Sequence, residues 1–201
     1  YAAVRRCQLD IETATEVEGG YSDAQRPGDR VLAIGLQCGA RRELLTLAEE
    51  TDAAERDLLL RFNATLHEMD PDVIEGHNLF KFDLDYLRQR SKRHKVPCAW
   101  GRFGLKTEFR NSRMRVAERW IDFPRCDIPG RAVVDTYLLV QLYDITTREM
   151  TSYGLKDAAV YFGVTPESGA GRTYIDGRGI QDEFRRDRAK FLAYLGDDLR
   201  E

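Results

Sequence analysis

Leu9-Asp10-Ile11-Glu12-Thr13 closes an apolar run that begins at Val4. Successive side chains of a strand alternate faces, so Asp10 and Glu12 project to one side while Ile11 turns into the core. Two carboxylates then share one edge. Like charges that close resist joint ionisation unless something positive stands between them, and a hard divalent cation held by oxygen ligands is the usual partner. A lone pair of acids two residues apart is more often a solvated face, so the rest of the chain has to supply further ligands.

Outward from that run, residues 13–29 are polar and bear glycines, which predicts a loop. Residues 31–38 (VLAIGLQC) and 43–47 read as a second and third strand of a meander. Residues 52–69 carry Leu58, Leu59, Phe62, Leu66 and Met69 at helical spacing, with Thr51 or Asp52 as cap and Pro71 as stop. Val73-Ile74 starts a short strand into Gly76-His77-Asn78, and residues 82–93 form an amphipathic helix with a cationic end. Residues 96–129 alternate irregularly, as strands and a hairpin would. Residues 132–143 and 152–162 read as helices, 168–179 as a Gly-rich loop, and 181–200 as one last helix. The order predicts an α/β fold, a mixed central sheet flanked by helices.

The 201 residues suit one domain, 1–201, with a basic insert around 97–130. The chain opens on Tyr1, which suggests a domain excised from a longer protein. With 42% hydrophobic and 32% charged residues, disorder and fibre are excluded. No apolar run approaches the roughly 20 residues of a membrane-crossing helix, and no secretion signal opens the chain. Cys7, Cys38, Cys98 and Cys126 lie far apart, against a zinc cluster or disulfide framework and for a reducing, cytoplasmic compartment. The net charge of −3 does not advertise a nucleic-acid binder. Locally the balance reverses: from Arg102 to Arg125, seven basic residues face Glu108, Glu118 and Asp122. That distribution suits a metal-dependent enzyme acting on a polyanion, or an ordinary solvated hairpin.

Two further acidic elements exist. Asp83 opens a helix directly after a strand, where ligands gather at the carboxyl ends of strands, although an acid there is commonly a cap. Tyr194 and Asp198 stand four apart and share a helix face, whereas Asp197 points elsewhere. Tyr153 and Asp157 have the same spacing, and periodicity does not choose between the pairs. Position at the end of the final helix favours the later one, with Tyr153 a packing residue. Asp135 is held in reserve as a helix-start residue.

Asp10-Ile11-Glu12-Thr13, then Gly76-His77-Asn78 with Phe82-Asp83-Leu84, then Tyr194 with Asp198, resemble the three exonuclease motifs of the 3'-5' proofreading domain of family-B DNA polymerases. Those domains belong to the tyrosine-bearing DEDD exonucleases. Gly130-Arg131-Ala132-Val133-Val134-Asp135 and Ser152-Tyr153-Gly154-Leu155 resemble the family's middle segment, so the likeness runs in order over nearly the whole chain. It implies a ribonuclease-H-like fold and two bound ions, Mg2+ or Mn2+. It implies that Asp10 bridges both, that Glu12 and Asp198 bind the ion carrying the attacking water, and that Asp83 holds the second. Tyr194 would orient the nucleophile; a phenol with pKa near 10 is a poor base at pH 7. The implied substrate is the 3' end of single-stranded or frayed DNA, with Thr13, Asn78 and Phe82 near the terminal nucleotide. A polymerase or other domains of a parent chain are the implied partners. Alternatives are an inactive binding module of the same fold and an exoribonuclease. Gly196 predicts a local irregularity in the last helix, and residues 102–125 match no motif.

Overall fold

A computed structural model describes residues 3–166 and 168–201. The strand bearing the acidic pair, β1 (Arg6–Thr13), lies in the middle of a five-stranded sheet. Its alternation is as predicted: Cys7, Leu9 and Ile11 are buried, while Gln8, Asp10 and Glu12 are partly exposed on the opposite face. β2 (Val31–Cys38) runs antiparallel beside it, with Gly35 opposite Asp10, and its apolar run is buried on both faces. β3 (Arg41–Thr46) completes the meander.

α1 (Asp52–Met69) is capped by the Thr51 side chain, which accepts from the Ala54 N–H at 3.2 Å, and it stops at Asp70 in the left-handed region before Pro71. β4 (Val73–Gly76) then joins the other side of β1 in parallel, and α2 (Asp83–Arg93) follows. β5 (Glu108–Val116) and β6 (Arg119–Asp127) form a separate two-stranded hairpin, the predicted irregular insert.

The helix predicted over 132–143 divides. β7 (Ala132–Asp135) pairs in parallel with β4 from Val73↔Ala132 to Gly76↔Asp135, because the β-branched Val133 and Val134 suit a ladder. Only then does α3 (Thr136–Thr147) begin, capped by Asp135 accepting from the Tyr137 N–H at 3.0 Å. The strand order is β3-β2-β1-β4-β7. α4 (Leu155–Tyr161) is shorter than the segment predicted.

The single helix predicted over 181–200 is two, α5 (Ile180–Arg186) and α6 (Arg188–Asp198). Asp187 separates them with extended backbone and restarts the chain as a cap, accepting from the Lys190 N–H at 3.0 Å. The irregularity predicted at Gly196 does not occur: α6 runs through it, and the Leu199 N–H reaches the Leu195 carbonyl at 3.2 Å. A Cβ there would stand 3.1 Å from Nη1 of Arg42. The fold is α/β, a mixed sheet flanked by helices. No helix among the described residues is long and apolar enough to cross a membrane.

Candidate metal centre

β1 and α6 supply the cup. Asp10 and Glu12 stand on the exposed face of β1, and the ladder to β2 slips between Glu12 and Thr13, a bulge of the kind that re-aims side chains near functional sites. Asp198, at the end of α6, comes to meet them: one carboxylate oxygen from each of Asp10, Glu12 and Asp198 lies within 4.8 Å of the others. Gly35 makes the approach possible. A Cβ on it would meet Leu199 Cδ1 at 2.8 Å and Leu195 Cδ1 at 3.1 Å, so the glycine leaves room for the two leucine side chains by which α6 packs on the sheet. Asp197 faces away and accepts from the Thr173 N–H at 2.6 Å.

Asp83, the first residue of α2, is buried, and its Oδ1 accepts from the Ile11 N–H at 3.1 Å. That bond ties the start of α2 to β1 between the two acids. Asp83 stands outside the tight trio, yet its charge reaches both Asp10 and Glu12. Burial first, then the charges of Asp83, Glu12 and Asp198, hold the Asp10 carboxyl well above the usual carboxylate range. Glu12 is raised by burial and then by Asp198 and Asp83. Burial pushes Asp83 up to about 8, against the backbone hydrogen bonds that lower it. Asp198 is raised by burial although Arg172 and Lys156 oppose the shift.

Those two cations are what the sequence reading missed. Arg172 pairs with both Asp198 and Glu201, and its guanidinium stands 5.9 Å from the centre of the Tyr194 ring. Lys156 Nζ lies 5.1 Å from the same ring and 4.7 Å from that of Tyr174. Arg172 sits in a Gly-rich loop without periodicity, and Lys156 was passed over as part of a packing helix. An all-oxygen set of converging carboxylates whose ionisation each opposes the others' fits a hard divalent cation. A second group, Asp52, Glu55 and His94, does not fit as well: buried Glu55 already accepts from Arg90 Nε at 2.8 Å, from the Val31 N–H at 2.9 Å, and faces His94 Nε2 at 2.7 Å.

Two clefts flank the cup. One, of about 370 Å³, is lined by Asp10, Asp198, Gly76 and His77. The other, of about 570 Å³, is lined by Glu12, Thr13, Phe82 and Tyr194, together with Tyr21, which is 94% exposed. Thr13 and Phe82 thus stand beside the acids, whereas Asn78 lines neither cleft. Asn78 adopts the left-handed conformation at φ 66°, and its N–H donates to Asp135 Oδ1 at 2.9 Å. Asp135 also accepts from the Phe80 N–H at 3.0 Å, so it fixes the turn leading to Asp83. Tyr194 faces the acids: burial, then Glu12, Asp198 and Asp10, hold its hydroxyl far above the ordinary phenol. The competing Tyr153 donates its hydroxyl to Asp144 Oδ2 at 2.8 Å, a structural bond.

Comparison with known proteins bears on this arrangement. The family model described as DNA polymerase family B, exonuclease domain, matches residues 2–158. Over 179 residues the chain is 27% identical to the DNA polymerase 120R of Invertebrate iridescent virus 3, covering 77% of this chain and 15% of that protein. With the DNA polymerase delta catalytic subunit of Dictyostelium discoideum it shares 24% identity over 206 residues, covering 79% of this chain and 18% of that one. The solved family B DNA polymerase of the hyperthermophilic archaeon Pyrobaculum calidifontis superposes with a TM-score of 0.78 at 27% identity, covering 99% of this chain and 23% of that one. The chain therefore spans less than a quarter of each of these relatives. The mixed sheet and its flanking helices are the ribonuclease-H-like fold of that neighbour. The family match ends before α6, which the superposition spans.

Proposed function

The chain belongs to the family of exonuclease domains found in family B DNA polymerases, and from that membership we propose that it is a 3'-5' exonuclease. It removes nucleoside monophosphates from the 3' end of single-stranded or frayed DNA, with Mg2+ or Mn2+ as cofactor. The observation that carries the proposal is the meeting of Asp10, Glu12 and Asp198 around one point, with Asp83 pressed in behind them.

Bound at that point, two divalent ions supply nucleophilic water at neutral pH and charge compensation for the entering and leaving oxygens. Asp10, Glu12 and Asp198, whose carboxylates converge, would hold the ions together with Asp83. Glu12 and Asp198 complete one side of the cup and Asp83 the other, its Oδ1 already held by Ile11. Tyr194 keeps its proton and serves as a hydrogen-bond donor that orients the nucleophile, because its hydroxyl is raised far out of the range of a base. Arg172 and Lys156 offset the acidic charge of the cup. Thr13, Phe82 and Tyr21 line the cleft assigned to the terminal nucleotide.

The relatives are polymerases, so DNA and further polymerase domains are the proposed partners. Release of mononucleotides from a 5'-labelled single strand with Mg2+ or Mn2+ tests the reading. Wild type is expected to shorten the strand stepwise and Asp10→Ala to fail. No products from wild type would leave a binding module, and rates far higher on a matched RNA oligomer would move the substrate to RNA.

A further inference from the structure

The far end of α2 and the base of the β5–β6 hairpin take no part in the cup. Between them lies a groove of about 860 Å³ that shares no lining residue with either cleft at the acids. Arg88, Lys92, Lys95 and Lys106 line it, against one acid, Glu108. Arg88 is tied to Asp85, whereas Lys92, Lys95 and Lys106 are exposed and join no salt bridge among the described residues. Thr107, only 3% exposed, forms part of its floor.

Three exposed, unpaired ammonium groups along one groove are a donor set for phosphate oxygens. We infer that this groove binds the phosphodiester backbone of a nucleic-acid strand at a place separate from the catalytic cup. The choice of nucleic acid over an acidic protein rests on continuity in two directions. Glu108 opens β5, whose exposed Arg115 joins no salt bridge among the described residues and carries unpaired positive charge outward along the hairpin. At the other end of the 11-residue α2 stands Asp83, about 15 Å from Arg93 along the helix axis. A strand long enough to lie in the groove while its 3' end enters the cup gains affinity that a very short one does not. Groove contacts therefore govern how long strands are held and leave the chemistry untouched.

Fluorescence anisotropy in EDTA separates this from the exonuclease reading, because binding is measured without cleavage and survives even if wild type proves inactive. The probes are a labelled single strand of about twenty nucleotides, longer than the 4–16 nucleotides of a typical single-strand site, a trinucleotide, and polyglutamate. The triple variant Lys92→Gln, Lys95→Gln, Lys106→Gln is expected to weaken the long strand about tenfold, and its salt slope is expected to fall by about 2, from three lost contacts at ~0.7 each. The trinucleotide should bind unchanged. Unaltered affinity and slope in the triple variant overturn the inference. So does a triple variant that loses polyglutamate while keeping the oligonucleotide, which would assign the groove to an acidic protein.

Discussion

Asp10 is where burial and like charge meet, and its pairing with Glu12 two residues on is plain in the sequence because strand periodicity needs no further context. Without a cation, Asp83 is pushed up to about 8, and Asp10, Glu12 and Asp198 are raised with it. The folded protein thus binds protons that the unfolded chain, with Asp near 3.9, has released. Stability from these groups is present below about pH 4 and is lost as pH rises through about 8. Melting curves in EDTA should show wild type falling behind Asp10→Asn across that window, and Mg2+ should close the gap. A gap of constant size at all pH values would deny the coupling. For Tyr194→Phe, loss of the orienting donor predicts a rate lower by roughly 10- to 100-fold with cation binding intact; a base would instead show a shifted pH profile. Arg172 and Lys156 were not legible, since a cation that meets acids only in three dimensions leaves no spacing to read.

At the scale of elements, most strands and helices followed from periodicity, and the errors share a cause. Ala132–Asp135 is too short to show a period of its own, and its four residues are defined by the ladder to β4. The break at Asp187 is a single residue that caps the next helix, which an apolar repeat running through both halves conceals. Removing that cap with Asp187→Ala is expected to cost about 1 kcal/mol in a denaturant titration. Gly35 is the position on which α6 depends: Gly35→Ala places a Cβ 2.8 Å from Leu199, and overpacking of this kind costs about 1–3 kcal/mol. Because Leu199 is the neighbour of Asp198 and has to move to make room, cation affinity should fall more than stability alone explains, as read by titration calorimetry. On the hairpin, Arg110 is paired with Asp127 at 2.6 Å and Arg113 with Asp122 at 3.0 Å, while Arg115 is bonded to the Ala117 carbonyl. Arg115→Ala should therefore lower the salt slope of strand binding by about 0.7, and the other two by less. An unchanged slope in the triple alanine variant would leave the hairpin's cations as ordinary surface charge.

For the whole molecule, the parallel strands β1, β4 and β7 end on the same side, and every element that holds the cup converges there: the end of β1, the start of α2 tied to it through Asp83, the Asp135 cap that fixes the intervening turn, and α6 folded back over Gly35. The ordered set of motifs made that convergence foreseeable where no single one did, because acids at positions 10, 83 and 198 have no reason to meet except through this topology. Crystals soaked in Mn2+ measure it directly. Anomalous difference density is expected to show two peaks about 3.5–4 Å apart, both within bonding distance of Asp10, and neither in Asp10→Asn. Soaked wild-type crystals with no peak among Asp10, Glu12, Asp83 and Asp198 would contradict the account at its base.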